Sequence, residues 1–356
     1  MADRLYLDHA ATTPMLPEAR DAVVAGMAHW ANPSSPHAEG RAARAALERA
    51  RRDIAAAYDW RGEVLLTSGA SESLAIALGR SVIEQRVIGA TEHDAAIRAA
   101  PRAEMLPVGL DGVIDCATLA MSLATPALVA VQWANSETGV RQPLAEIASI
   151  VHAAGGLLLV DAAQMPAGVD PDLAGLADFI AISAHKRGGP PGIGALLVRD
   201  LATLSPVGGQ ERGYRAGTEN LPGALGYAAA LAVPEPIGRL AALRARLDDA
   251  IGRSGGEIVA AGAVRHPAIG SYRMHGAAAA TQLIRFDMAG IAVSAGSACS
   301  SGSMKPSHVL TAMGWDTDAS REVIRVSFGR ATTEADVDRF VAEWRSIARG
   351  MGRFAA

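Results

Sequence analysis

Lysine is almost missing from this chain. Of its 33 basic residues among 356, only two are lysine, Lys186 and Lys305, and arginine carries the rest. Arginine has taken every other site where positive charge suffices, so a remaining lysine invites a role that a guanidinium cannot fill: losing a proton and attacking a carbonyl. Cysteine is as scarce. Cys116 and Cys299 stand 183 positions apart, which gives no disulfide framework, and no Cys/His spacing matches a zinc site. A reducing cytoplasm is the expected compartment. Glycine, proline or charge interrupts every apolar stretch before it reaches the length of a membrane span. The opening "MADRLYLDHA" carries acids and lacks an apolar h-region, so no secretory signal is expected there. A formal charge of −4 gives no support to a nucleic-acid or membrane-surface partner.

What the chain does contain is alternation. "EVLLT" (63–67), "RVIGA" (86–90), "ALVAVQW" (127–133), "GLLLVD" (156–161), "ADFIAIS" (177–183) and "GIGALLV" (192–198) read as buried strands separated by helical segments. Such runs predict an α/β fold with a mainly parallel sheet covered on both faces. Ligands of such sheets bind at the carboxyl ends of the strands. The polar stretches "TSGAS", "TEH", "QWANSE", "DAAQ" and "SAHK" all fall there. Past "AVPEPIG" (232–238) the texture changes. An amphipathic helix follows in "GRLAALRARLDDAIG", "EVIRVSFG" (322–329) reads as a strand, and a last helix starts with Thr333 as its cap.

The strand ends carry a specific chemistry. A lysine held among apolar strand ends is desolvated, which lowers its pKa and frees its amine. Lys186 could then form a Schiff base with pyridoxal phosphate, and Asp161 has the chemistry to partner the pyridine nitrogen. "SGAS" at a helix start offers N–H groups and a hydroxyl to a phosphate, and His93 could lie flat on the ring. Each signal alone has an ordinary reading: a Gly/Ser turn is a helix cap, a single histidine is a satisfied structural residue. Cys299 in "SAGSACSSGS" (294–303) could by itself be a chance loop thiol, although serines and glycines are unusual company for a structural cysteine.

Taken together, "YLDHAATTP" (6–14), "NPSSPHAEG" (32–40), "TSGASES" (67–73), "TEH" (91–93), "DAAQ" (161–164), "HK" with "GIGAL" (192–196), "GGQERGYRAGTEN" (208–220), "GSACSSGSMKPSHVL" (296–310) and "IRVSFGR" (324–330) span nearly the whole length. In this order they resemble the pyridoxal-phosphate cysteine desulfurases, of the class-V aminotransferase-like branch that serves iron–sulfur cluster assembly. The resemblance implies a PLP-dependent transferase fold of type I. A large cofactor domain would span 15–232, and a small α+β domain would combine 1–14 with 233–356 and carry the cysteine loop. It implies Lys186 as the Schiff-base lysine, Asp161 on the pyridine nitrogen, Gln164 on the ring hydroxyl and His93 stacked on the ring as a catalytic proton carrier, with either His93 or the freed Lys186 amine taking the substrate α-proton. Ala70, Ser71, Ser183 and His185 would hold the phosphate, joined by Thr218 from the other subunit of a homodimer. Asn135 and Arg325 would face the substrate, Arg325 gripping its carboxylate. Cys299 would be the nucleophile that takes sulfur from L-cysteine as a persulfide, leaves L-alanine, and passes the sulfur to an acceptor such as a cluster scaffold. No resident metal is expected; any contact of Cys299 with an iron–sulfur cluster is transient.

Two other readings stay open: another pyridoxal-phosphate lyase or aminotransferase of this fold, such as a selenocysteine lyase, and a non-catalytic descendant kept for binding. The thiol argues against an aminotransferase, and the retention of Lys186, Asp161, His93 and Cys299 argues against a binding module. Cys116 is assigned no role. The chain departs from the family pattern at "RGGPPG" (187–192), where an aromatic residue and a second lysine are usual, at Lys305, where an acid is common, and at Val207, which replaces a glycine.

Overall fold

The computed structural model describes residues 4–296 and 306–350. The first strand, β1 (Leu5–Tyr6), stands apart from those that follow it in sequence. Seven strands then build one sheet: β2 (Glu63–Thr67), β3 (Gln85–Gly89), β4 (Glu104–Leu106), β5 (Ala127–Gln132), β6 (Leu157–Asp161), β7 (Phe179–Ser183) and β8 (Gly194–Val198). Their spatial order is β2-β8-β7-β6-β5-β3-β4. The pairs from β4 to β7 are parallel, while β8 runs antiparallel to both β7 and β2. β5, β7 and β8 are buried along their whole length. That explains their continuous apolar sequences, since both faces of the sheet are packed against helices.

The expected strands are present: β2 has its expected bounds, β3 begins and ends one residue earlier, and the others have trimmed ends. β8 starts at Gly194 rather than Gly192, because Ile193 is spent on the turn: its carbonyl accepts from Ala184 N at 3.2 Å. β4 was not anticipated. Two of its three residues are exposed, so its sequence lacks a buried run.

A second group of elements contains β9 (Glu257–Ile258), β10 (Ile269–Arg273), β11 (Ile291–Ala292) and β12 (Val323–Ser327). β12, β10 and β9 form an antiparallel sheet, and β11 pairs in parallel with β1. Leu5 and Leu7 join a separate apolar cluster with Leu243, Phe286, Phe340 and Trp344 from the helices of this part of the chain. The final helix, Glu334–Gly350, begins as expected: Thr333 N donates to Asp336 Oδ2 at 2.8 Å, and Asp336 N donates back to Thr333 Oγ1 at 3.3 Å. Among the described residues no helix is long and apolar enough to cross a membrane.

The outer edge of β2 is closed by an ion pair. Glu211 enters from the "GGQERGYR" loop, and its Oε2 accepts from Leu66 N at 2.9 Å and from Arg51 Nη1 at 2.6 Å. Both side chains are buried, so an exposed ladder edge is replaced by a satisfied one. Arg51→Met would leave the Glu211 carboxylate buried and unpaired. The expected cost is about 3–5 kcal/mol, read as a lower urea midpoint; an unchanged midpoint would show that water reaches Glu211.

Candidate active site

The carboxyl ends of the parallel strands, the turn between β7 and β8, Ala10 and Ala11 of the N-terminal stretch and the middle of β12 surround one cavity of about 540 Å³. Of the residues singled out in the sequence, Ala70, Ser71, His93, Asn135, Asp161, Ser183, His185, Lys186 and Arg325 line it. Gln164 is set slightly apart on a neighbouring small cavity; its Nε2 donates to Ala10 O at 2.9 Å, and its Oε1 is buried without a partner. Thr218 is exposed and does not line this chain's own cavity. Cys299 lies outside the described residues. Gly296 and His308, which come shortly before and shortly after the stretch 297–305, both line the cavity.

Lys186 follows β7 in a tight turn. Arg187 N and Gly189 N both donate to Ala184 O, at 2.9 and 3.0 Å, and Thr13 Oγ1 donates to Lys186 O at 3.1 Å. The backbone is therefore fixed, while the amine makes no hydrogen bond or ion pair to any described residue. Burial, followed by the nearby Arg325 and Arg187, pulls its pKa from 10.5 to about 8, against an opposing pull from Asp161.

Asp161 closes β6, in register with Gln132 on one side and Ala181 on the other. Its Oδ1 accepts from Ala163 N at 2.9 Å, and its other oxygen makes no hydrogen bond to a described residue. His93 caps the short helix Asp94–Ala99 by accepting Ala95 N at Nδ1, 3.1 Å away. That bond places the ring proton of the neutral form on Nε2. Burial and the Lys186 charge lower the His93 pKa, and His185 is pulled to about 4 by burial, Lys186 and Arg187. Both rings are neutral near pH 7.

The helix Ala70–Arg80 starts after Gly69, whose φ of 149° suits glycine and whose Cβ-free face meets only Ser183 Oγ at 3.8 Å. Ala70 and Ser71 sit in the first turn, where their N–H groups have no intrahelical acceptor, and both face the cavity. The set comprises an unpartnered amine, a carboxylate with a free oxygen and a helix start with open donors. It fits a phosphorylated pyridine aldehyde.

Three groups here carried no role in the sequence reading. Asp8 ion-pairs Arg325 at 2.7 Å. Glu92 is buried with Oε1 accepting Gln132 N at 2.9 Å and Oε2 unpartnered; burial and then Asp161 push its carboxyl well above the usual range. His308 Nε2 lies 2.9 Å from Glu92 O. All three fall within the quoted motifs, but none advertises its contact, because each partner is distant in sequence.

The "RGGPPG" departure has a local cause. Gly188 adopts φ +82° and a Cβ there would lie 2.7 Å from Leu16 Cγ, so this backbone has no room for an aromatic residue. Arg187 is buried and donates from Nη1 to both Glu235 oxygens, at 3.0 and 3.3 Å.

A family profile described as aminotransferase class-V matches residues 5–340. A cysteine desulfurase of Cereibacter sphaeroides is 37% identical over 366 residues, spanning 95% of this chain and 94% of that protein. The chain belongs to the aminotransferase class-V family, in its cysteine desulfurase branch. An IscS-like cysteine desulfurase of Mycobacterium tuberculosis is 35% identical, covering 94% of this chain and 93% of that one. Among solved structures, a NifS-like protein from Rickettsia africae superposes with a TM-score of 0.88 at 28% identity, covering 98% of this chain and all of that chain. The family's fold is the one described above, a large, mainly parallel sheet between helices.

Proposed function

We infer that the chain converts L-cysteine to L-alanine with pyridoxal phosphate bound at Lys186, the sulfur passing to Cys299 as a persulfide. The observation that carries this reading is that Lys186, with its unpartnered amine, lines the same cavity as the residues flanking the Cys299 stretch. The division into a cofactor domain (15–232) and a small domain (1–14 with 233–356) is also proposed. Separate apolar clusters around the large sheet and around Phe340 and Trp344 support it.

Pyridoxal phosphate, when bound, supplies an aldehyde for the lysine and a ring that accepts the electron pair released at the substrate Cα. Ala70, Ser71, Ser183 and His185 would hold its phosphate, Asp161 would serve the ring nitrogen and His93 the ring face, and Gln164, which lies just outside the cavity, would reach the ring hydroxyl. Arg325 and Asn135 hold the substrate, the guanidinium on the carboxylate. Lys186, whose buried amine makes no bond to a described residue, is the base placed to take the Cα proton. Its low pKa makes that proton exchangeable near neutrality. The Cys299 thiolate then bonds to the substrate sulfur as the carbon–sulfur bond breaks, and protons returned to the carbon skeleton complete L-alanine. The persulfide requires an acceptor protein, and a scaffold for iron–sulfur cluster assembly has the matching chemistry. The direct test is to incubate the purified protein with L-cysteine and pyridoxal phosphate and assay alanine and sulfide. A protein that yields neither would sink the reading.

Thr218, exposed on this chain, serves the phosphate site of a second copy. Assembly and cofactor affinity are then linked. Sizing should give a homodimer, and Thr218→Ala should weaken cofactor binding about tenfold. A fully active monomer with tightly bound cofactor would refute this assignment.

A further inference from the structure

The guanidinium proposed to grip the substrate carboxylate already has an anion on it. Arg325 sits on β12, is only 7% exposed, and lines the cavity. Its Nη2 donates to Asp8 Oδ1 at 2.7 Å and its Nη1 to Ser136 O at 2.8 Å, while its Nε is buried without a partner. Of five N–H donors, the described residues take two. Asp8 is held in place by the backbone: it bridges to Ser327 in parallel, two residues beyond Arg325, and Tyr6 Oη donates to its carbonyl at 3.2 Å. Asp8 does not line the cavity itself. Its link to the cavity is the bond to Arg325.

We propose that Asp8 is a positioning residue that aims Arg325 and also weakens its pull on carboxylates, so that substrate and product bind loosely enough to exchange. The proposal rests on the reading of Arg325 as the carboxylate grip. A carboxylate arriving at Arg325 meets the charge of Asp8 across the same guanidinium, and like charges at that range oppose each other. L-Cysteine and L-alanine carry the same carboxylate. Affinity gained there holds substrate and product equally and does nothing for the chemical step. A standing counter-ion limits that uniform affinity while the Ser136 carbonyl and Asp8 keep the guanidinium in one orientation.

The test measures KM for L-cysteine and the inhibition constants of L-alanine and of propionate, on cofactor-loaded protein. Asp8→Asn keeps the shape and the acceptor oxygen but removes the charge. All three constants should fall together by about three- to tenfold. Asp8→Glu keeps the charge at a changed length, and its constants should not fall with those of Asp8→Asn. A purely structural role predicts the reverse ranking, with Glu perturbed and Asn tolerated, and that result would overturn the proposal. So would a rise in the constants for Asp8→Asn. Arg325→Gln separates the two levels of inference. If it raises all three constants while Asp8→Asn leaves them unchanged, the role of Asp8 fails and the grip stands. If Arg325→Gln changes nothing, the grip itself fails and Asp8 with it.

Discussion

Lys186→Ala is expected to lower L-cysteine turnover by roughly four orders of magnitude or more, and Lys186→Arg by as much. A loss of charge would be repaired by arginine; a loss of the nucleophilic amine would not. The structure sharpens the distinction, because among the described residues the Lys186 amine has no partner to lose, and its backbone is fixed by Ala184 and Thr13. After desalting, both variants should lose the visible absorbance of the bound cofactor. Borohydride reduction followed by mass spectrometry should find the adduct at position 186 in the parent alone. The pKa of about 8 adds a pH signature. At pH 7 the neutral amine fraction is roughly 300 times that of a solvent-exposed lysine. Because the neutral form attacks, cofactor uptake by the apo-protein should rise about tenfold per pH unit below 8 and level off above it. A rise that continues to pH 10 would mean that burial does not tune this amine. An arginine variant with parental activity would remove Lys186 from the chemistry.

Cys299→Ser should divide the reaction in two. On the proposed mechanism the early steps use Lys186, Asp161 and Arg325, so the variant should bind the cofactor normally and respond spectrally to L-cysteine. The serine hydroxyl cannot replace a thiolate toward sulfur. Alanine release should therefore fall by roughly two to three orders of magnitude, and no protein persulfide should be detected by alkylation and mass spectrometry. Cys116 is the natural control. It begins the helix Cys116–Ser122, and burial, with Glu146 beside it, pushes its thiol up to about 11. At neutral pH it is inert, and Cys116→Ser should turn over within about twofold of the parent. Parental turnover by Cys299→Ser would return the balance to a lyase that needs no protein thiol, with L-selenocysteine the first substrate to try.

The large sheet could be read in the sequence because burial on both faces leaves a visible trace. β5, β7 and β8 are apolar at nearly every position, as is β6 up to Asp161. The smaller sheet leaves no such trace. β10 reads "IGSYR", and its buried polar members are satisfied by particular distant partners: Ser271 Oγ by Glu137 O at 2.6 Å and Tyr272 Oη by Asp248 at 2.8 Å. The site divides in the same way. Lys186 announced itself by rarity, and Asp161 and His93 by their places at strand ends. Asp8 did not, since its contact with Arg325 spans 317 positions and no local pattern encodes such a pairing. Gln164 belonged to a legible motif, but its lodging beside Ala10 depends on how the N-terminal segment crosses the sheet.

That crossing has a consequence for biosynthesis. Leu5 pairs with Ile291, and the bond from Asp8 to Arg325 is among the most widely separated in the molecule. At 5–20 residues per second, roughly 15 to 60 seconds pass between translation of Leu5 and of its partner. Throughout that interval the large sheet can assemble around Lys186, while "LYLDHAATT" waits with Leu5 and Leu7 unburied. A nascent chain can therefore possess its amine and strand-end carboxylate long before it can grip an amino acid. A segment made well before its partners is among the last to be locked down, and this is where a chaperone or a protease would find the half-made enzyme.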